Sequence, residues 1–297
     1  MTKQDSDTLK ASEVIRKKLI EAGGKAIVYS LQGKAFSFFY CIKAVLKMNY
    51  STLFGDAKKE YIQFRPQYPP TLFETIMKNT PRPYLKAIDL GAGTGISTIF
   101  LSKHFDLVFA VEPDGDMIKE VKFPKNVNVV NCAAEDFNCA NNEIELITAA
   151  NAFYWMDGEI VAGKAEKHLI KKGVLAAYRY NFPKALSDAQ GILEYELNNH
   201  WNAFRNERLI DKEYTYRTIK NIQLFSKVDL SHVPNIQSLT PESLVGFFTS
   251  TSYCSAYIKT LEKKEHYIAN LIESIKRTAN KKTIKVNFGL ELVLAVK

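Results

Sequence analysis

The sequence predicts an α/β fold with a doubly wound, mainly parallel sheet of seven strands and a C-terminal antiparallel hairpin. Two observations predict this fold. Between residues 86 and 180, short apolar segments alternate with segments of helical periodicity, as is typical of βαβ units with helices on both faces of a sheet. After Pro183 the alternation ends, and the apolar segment 284–296 indicates a last strand that pairs near Leu224.

Five strands are predicted in the alternating part of the chain. They lie at residues 86–90, 106–111, 127–131, 143–149 and 174–180, each a short apolar run bounded by turn residues. Apolar residues at helical spacing predict helices around residues 72–77, 96–104, 117–121 and 160–170. Pro-Arg-Pro at 81–83 ends the first helix.

The remaining elements are predicted from weaker patterns. Leu193, Leu197, Trp201 and Phe204 lie about one helical turn apart, which predicts one long helix over residues 185–209. Residues 219–228 are predicted as a strand, residues 268–275 as part of an amphipathic helix, and residues 284–296 as the final strand.

Composition excludes several classes of protein. The chain has 297 residues, of which 46% are apolar and 24% charged, which excludes collagen-like, low-complexity and wholly disordered chains. No apolar run approaches the roughly 20 residues of a membrane-spanning helix, and polar residues 1–10 disfavour a secretory signal. The four cysteines form no Cys-x-x-Cys pair, so we expect reduced thiols, no metal site and a cytoplasmic location.

The net charge of +8 is concentrated near the N-terminus. Residues 1–47 contain nine basic and four acidic residues, whereas residues 48–297 contain 31 and 28. We therefore expect a basic N-terminal extension over residues 1–49, either a packing appendage or a poorly ordered tail, and a main domain over residues 50–297. Residues 35–48 could also form a helix on a membrane surface. The nearly balanced main domain disfavours a nucleic-acid partner.

A glycine-rich turn follows the first predicted strand. Asp89 ends that strand and Gly91-Ala92-Gly93-Thr94-Gly95 follows it. Ligands bind at the carboxyl ends of strands in such sheets, and Glu112 at the end of the next strand is suited to accept hydrogen bonds from both ribose hydroxyls. The dinucleotide pattern G-x-G-x-x-G would need a glycine at position 96. Ile96 stands there, which disfavours an NAD-dependent dehydrogenase.

These stretches resemble the class I S-adenosylmethionine-dependent methyltransferase family. The resemblance covers about residues 50–297. Within the family, the chain is most similar to the small-molecule branch that includes trans-aconitate methyltransferases. It rests on Tyr61-Ile-Gln-Phe-Arg-Pro-Gln-Tyr-Pro69, Ile88 to Gly95, Val111 to Met117, Ala134-Glu135-Asp136-Phe137 and Thr148 to Asp157. It implies a Rossmann-like methyltransferase fold, S-adenosyl-L-methionine as cofactor and a small-molecule acceptor.

The resemblance also implies a role for each matching residue. Gly91 and Gly93 would hold the methionine part of the cofactor, and Asp89 would help to orient its ammonium, either directly or through water. Glu112 would hold the ribose, and Met117 would pack on the adenine. The backbone of Ala134 and the side chain of Glu135 or Asp136 would contact the adenine edge. Asn151 would face the methionine end, while Tyr61 and Arg65 would close over the cofactor, with Arg65 paired to its carboxylate.

The acceptor side is defined less sharply. Phe153, Tyr154, Trp155 and Asp157 are candidate pocket walls, and Tyr154 and Asp157 are the candidate catalytic residues. A tyrosine is a poor base because its pKa is about 10, whereas a carboxylate acceptor is already ionised at neutral pH. We therefore favour methyl transfer to an acidic acceptor, with a carboxylate oxygen as one candidate, and keep Asp157 as a candidate base.

Two alternatives to a small-molecule enzyme stay open. One is a methyltransferase that acts on a protein or nucleic acid, although Asn151-Ala-Phe-Tyr154 lacks the prolines of an Asn-Pro-Pro-Tyr motif. The other is a non-catalytic module that binds S-adenosylmethionine, which a fold alone does not exclude. No coiled-coil pattern is visible, so we expect a monomer.

Overall fold

A computed structural model describes residues 63–119 and 121–297. The basic extension predicted over residues 1–49 and the candidate cofactor-binding residue Tyr61 lie outside the described residues.

Two sheets are formed by the described strands. The strands are β1 (Lys86–Leu90), β2 (Leu107–Val111), β3 (Val127–Val130), β4 (Ile144–Ala150), β5 (Leu169–Tyr180), β6 (Lys184–Ala185), β7 (Lys227–Val233), β8 (Ile236–Leu239), β9 (Ile284–Asn287) and β10 (Leu290–Val296). The main sheet has the order β3-β2-β1-β4-β5-β10-β7, and the small sheet has the order β6-β9-β8.

The main sheet is parallel from β3 to β5 and antiparallel at β10 and β7. The chain runs from β1 outward to β3 and then returns to β4 on the other side of β1. Such a reversal opens a crevice at the carboxyl ends of β1 and β4. The predicted seven-stranded, doubly wound sheet is confirmed.

The C-terminal antiparallel hairpin is also confirmed. Its arms are β7–β8 and β9–β10, since β7 pairs with β10 and β8 pairs with β9. The segment that joins the two arms is helical.

Ten α-helices accompany the strands within the described residues. They are α1 (Pro70–Asn79), α2 (Ile96–Leu101), α3 (Gly115–Ile118), α4 (Gly158–His168), α5 (Ala189–Glu196), α6 (Glu207–Ile210), α7 (Tyr214–Asn221), α8 (Pro241–Thr249), α9 (Ser252–Lys259) and α10 (Lys264–Ala279).

The core has two parts, one on each face of the main sheet. On one face, α1 and α2 contribute Leu72, Ile76 and Leu101, and this cluster continues into α8 and α10. On the other face, Val161 and Ala165 of α4 pack with Ile219 of α7. Because the core covers both faces of the central strands, β4 is buried along almost its whole length.

Two predicted elements differ from the structure. The single helix over residues 185–209 is wrong: α5 ends at Glu196, a π-helical turn follows over Leu197–Trp201, and a 3₁₀ turn over Asn202–Phe204 precedes α6. The strand over 219–228 is also wrong, because α7 continues to Asn221 and β7 begins only at Lys227. A positive φ of 54° at Gln223 reverses the chain between them.

Within residues 63–119 and 121–297, no helix is both long and apolar enough to cross a membrane.

Candidate functional site

The glycine-rich turn lies at the carboxyl end of β1, beside the crevice. Gly91 and Gly93 have positive φ values of 66° and 53°, a conformation that costs an L-residue about 1–2 kcal/mol. A Cβ on Gly91 would also lie 2.5 Å from the Cβ of Ala152, whereas a Cβ on Gly93 would meet nothing closer than 3.8 Å. Gly91 is thus required by conformation and by packing, and Gly93 mainly by conformation.

Glu112 connects this turn to the end of β2. Its Oε2 accepts a hydrogen bond from the Gly93 backbone N–H at 2.8 Å, and its Oε1 accepts one from Asp114 N–H at 3.0 Å. The side chain is buried, and burial raises the pKa of this carboxyl, while the two backbone hydrogen bonds oppose the shift. Each oxygen keeps a further lone pair, so the carboxylate can accept two hydroxyl donors from a ligand.

Asp89 is fully buried beneath the turn. Its Oδ2 accepts from the Thr98 hydroxyl at 2.6 Å and its Oδ1 from the Thr148 hydroxyl at 2.7 Å. Burial is the main cause of the raised pKa of this carboxyl. The structure places the predicted ammonium ligand inside the protein, where it ties β1 to α2 and β4.

The predicted adenine contacts cluster beyond β2 and β3. Met117 of α3 is buried, and its Cε lies 3.8 Å from the ideal Cβ position of Gly93. Ala134 is buried in the turn after β3. The Oε1 of Glu135 accepts a hydrogen bond from the Asp157 backbone N–H at 2.6 Å, which connects this turn to the N-terminus of α4.

Asn151 lies on the opposite side of the crevice, directly after β4, and has a φ of 52°. Its amide Nδ2 donates to the Tyr68 hydroxyl at 2.8 Å, and its Oδ1 accepts from Tyr180 N–H at 2.9 Å. Arg65 lies near the same opening: its Nη2 donates to the Ser250 carbonyl at 3.1 Å and its guanidinium lies over the Phe247 ring.

A pocket of about 330 Å³ opens beside Asn151 and Arg65. Its walls come from the end of β5, from residues 181–183, from the segment 205–212 and from the junction of α8 and α9. Aromatic side chains form much of the wall: Tyr154, Trp155, Tyr180, Phe182, Phe247 and Tyr253. This volume is at the lower end of the range for small-ligand sites, about 300–1,000 Å³.

The two candidate catalytic residues have different surroundings. Tyr154 is buried and lines the pocket, as does Trp155. Asp157 is exposed and caps α4, because its Oδ1 accepts from Ile160 N–H at 3.2 Å. Phe153 is buried in the core behind them. Tyr154 therefore lies at the pocket, whereas the carboxylate of Asp157 contacts the backbone at the start of its own helix.

Several residues at the site were missed in the sequence. Thr98 and Thr148 hold Asp89, and Tyr68 holds Asn151, although threonine and tyrosine are too common in such elements to signal these contacts. Arg205 lines the pocket from inside the segment predicted as helix. Its position there gave no signal in the sequence, because the same segment also holds other charged residues, among them Glu207 and Arg208.

Comparison with known proteins extends this description. Residues 87–173, which contain the glycine-rich turn, match a family model described as a methyltransferase domain. A Dictyostelium discoideum protein named as a methyltransferase is 29% identical over 254 residues, covering 82% of this chain and 94% of the relative. A Saccharomyces cerevisiae protein named as an S-adenosylmethionine-dependent methyltransferase is 26% identical over 141 residues, covering 43% of this chain and 48% of the relative.

Solved structures agree with the fold. A protein from Anaeromyxobacter dehalogenans whose structure is described as that of a type II methyltransferase aligns with a TM-score of 0.63 and 21% identity. The alignment covers 78% of this chain and 97% of the other. Similarity at this level of identity concerns the fold alone.

Proposed function

We propose that this chain, which is an S-adenosylmethionine-dependent methyltransferase, transfers the methyl group to a small molecule. The observation that carries the proposal is the pocket of about 330 Å³ beside Asn151. Asn151 follows β4 at the crevice and also lines the pocket. A molecule in the pocket therefore lies next to the side of the crevice where the methionine end of the cofactor is expected.

The residues around the crevice fit this cofactor. Glu112 offers a buried carboxylate to the two ribose hydroxyls, and Met117 offers an apolar surface to the adenine. Gly93 leaves room above the turn for a ligand to approach the backbone. The buried Asp89 supports the turn through Thr98 and Thr148, so we assign it an indirect role rather than a contact with the ammonium.

When bound, the cofactor supplies an electrophilic methyl carbon, to which an acceptor oxygen bonds as the carbon–sulfur bond breaks with its electron pair left on sulfur. The chain itself contributes positioning and the exclusion of water. Tyr154 and the other aromatic walls restrict how an acceptor can lie. A carboxylate acceptor needs no base and releases no proton, because it becomes a neutral ester.

The competing hypothesis is a protein or nucleic-acid acceptor. The pocket favours a small molecule, because walls from four segments enclose it and only a single extruded side chain or base could enter. The sequence adds that the main domain lacks the excess of basic residues that is typical of proteins that bind a nucleic-acid backbone.

The test is to trace a labelled methyl group. The full chain is incubated with methyl-labelled S-adenosylmethionine and, separately, with the small-molecule, protein and nucleic-acid fractions of a cell extract. We expect label in the small-molecule fraction, and no transfer by a Glu112→Ala variant. Label confined to protein or nucleic acid would refute the proposal.

A further inference from the structure

The pocket beside Asn151 has an unbalanced charge. Arg65, Arg179, Arg205 and Lys212 line it, and no acidic side chain of residues 63–119 or 121–297 does. Positive charge in a partly open pocket with several aromatic walls is unfavourable unless an anion or water compensates it. The pocket is therefore better suited to an anionic ligand than to a cationic one.

One of these cations is already compensated. Arg179 forms a buried ion pair with Glu291, with Nε and Oε2 2.7 Å apart. Its two terminal nitrogens donate to the carbonyls of Arg208, Leu209 and Asp211 at 3.0–3.3 Å. Because these contacts occupy its guanidinium, Arg179 organises the segment 208–211 rather than binding a ligand.

Arg205 differs from Arg179 in this respect. Its Nη1 makes a long 3.3 Å hydrogen bond to Asn202 Oδ1, and its buried Nε has no hydrogen-bond partner in the described part of the chain. The guanidinium lies 5.9 Å from the ring centre of Phe182 and 5.7 Å from that of Tyr253. Burial, together with repulsion from Arg179, lowers the pKa of Arg205.

The local backbone fixes Arg205 in this place. The π-helical turn ends at Trp201, which is fully buried, and the 3₁₀ turn that follows ends at Phe204, so that Arg205 caps it in an extended conformation. Asn206 then caps α6, because its Oδ1 accepts from Arg208 N–H at 2.8 Å. Anchors on both sides hold the backbone of Arg205 in place before a ligand arrives, which lowers the entropic cost of binding one.

Building on the function proposed above, we propose that the methyl acceptor carries a carboxylate or phosphate group and that Arg205 binds this oxyanion. The planar guanidinium lines the pocket, and a guanidinium can bind either group through two parallel hydrogen bonds. The bound oxyanion anchors the acceptor, and an oxygen of a separate carboxylate takes the methyl group. Arg205 is thus a specificity-determining residue for the acceptor.

The first experiment separates the acceptors by charge. A filtered small-molecule extract is passed over an anion exchanger, and both fractions are assayed with methyl-labelled S-adenosylmethionine and the full chain. We expect the acceptor in the retained fraction. Loss of acceptor activity after phosphatase treatment of that fraction identifies a phosphate, and survival identifies a carboxylate. An acceptor only in the unretained fraction overturns the anionic acceptor and leaves methyl transfer to a small molecule intact.

Variants then test the residue. Arg205→Gln should raise the KM of the retained acceptor about tenfold or more, as expected for the loss of a charge-assisted pair, and Arg205→Lys should recover part of it. Arg277→Gln, a change at an exposed arginine of α10, is the matched control and should change nothing. The affinity for S-adenosylmethionine should stay the same in all three.

Each contrary result has a separate meaning. An unchanged acceptor KM in Arg205→Gln refutes the role of this residue. Weaker S-adenosylmethionine binding in Arg205→Gln also refutes it, because the guanidinium would then serve the cofactor's own carboxylate. Transfer to neither small-molecule fraction, with cofactor binding intact, refutes the proposed function itself.

Discussion

Replacement of Glu112 by alanine is the most informative change at the cofactor site. The carboxylate accepts hydrogen bonds from the backbone N–H groups of Gly93 and Asp114, and it would accept two more from the ribose. The variant Glu112→Ala removes all of these acceptors. The affinity for S-adenosylmethionine should fall, and the glycine-rich turn should lose its connection to the end of β2.

The size of the loss follows from the number of hydrogen bonds. Each bond from a ribose hydroxyl to the carboxylate contributes about 1.5–3 kcal/mol. Two such bonds correspond to about 3–6 kcal/mol, or a Kd roughly 10²- to 10⁴-fold higher. The variant Glu112→Gln keeps one carbonyl oxygen but turns its amide N–H₂ toward a backbone donor. Its loss of affinity should be intermediate.

Calorimetric titration with S-adenosylmethionine measures these affinities, with NAD as the ligand that should not bind. Glu143→Ala is a matched control, because Glu143 is an acidic residue that pairs with Lys86 at the opposite end of β1. Thermal unfolding of each variant confirms that the chain is folded. If Glu112→Ala binds S-adenosylmethionine as tightly as the unmodified chain, the assignment of the ribose site is wrong.

Three further predictions concern the turn, the buried acid and the helix cap. Gly91→Ala should destabilise the fold by more than the roughly 1–2 kcal/mol of its backbone conformation, whereas Gly163→Ala, in the open space on α4, should stabilise it by about 0.4–1 kcal/mol; equal unfolding free energies would contradict this. The raised pKa of Asp89 means that the folded chain binds a proton more tightly than the unfolded chain. The stability of the unmodified chain should therefore fall relative to that of Asp89→Asn as the pH rises from about 4 to about 7. Urea unfolding at each pH measures this difference in stability, and a difference that stays constant would argue against a buried charge. Asp157→Ala should lower the free energy of unfolding by about 1 kcal/mol, because it removes a helix cap. Turnover in Asp157→Asn and Tyr154→Phe should stay within a few-fold of that of the unmodified chain, since a carboxylate acceptor needs no base. A large loss of kcat in either variant would indicate a proton-transfer role.

The βαβ half of the fold could be predicted because its signals are local and strong. Strands β1, β2 and β4 are short apolar runs, and the acids Asp89 and Glu112 stand where two of them end. The position of a residue at the carboxyl end of a strand is fixed by the strand itself. The same reasoning brought Asn151 to the opposite side of the crevice.

The segment after β5 could not be predicted in the same way. The spacing of apolar residues such as Leu193 and Trp201 shows only that one side of the segment is buried. A π-helical turn keeps the same side buried although it adds a residue to the turn, so the spacing does not reveal it. Strand β7 was misplaced because it lies at the sheet edge, where polar residues such as Lys227 and Asp229 face solvent. The position of Arg205 depends on the π-helical turn and on the 3₁₀ turn after it.

Contacts between residues that are distant in the chain could not be predicted, because they depend on how the strands are aligned in the sheet. Asp89 was predicted at the site, but its contacts with Thr98 and Thr148 depend on the register that aligns Asp89 with Thr148 across β1 and β4. That register places the Thr148 hydroxyl on the carboxylate, within the protein interior. The pairing of Arg179 with Glu291 follows likewise from the register of β5 and β10.

A crystal structure of the full chain with S-adenosylhomocysteine would test the central claim most directly. We predict the ribose hydroxyls on the Glu112 carboxylate, the adenine against Met117 and the sulfur directed toward the pocket that Asn151 and Tyr154 line. A nucleoside bound away from Glu112, or a sulfur directed away from that pocket, would contradict the proposed site of methyl transfer.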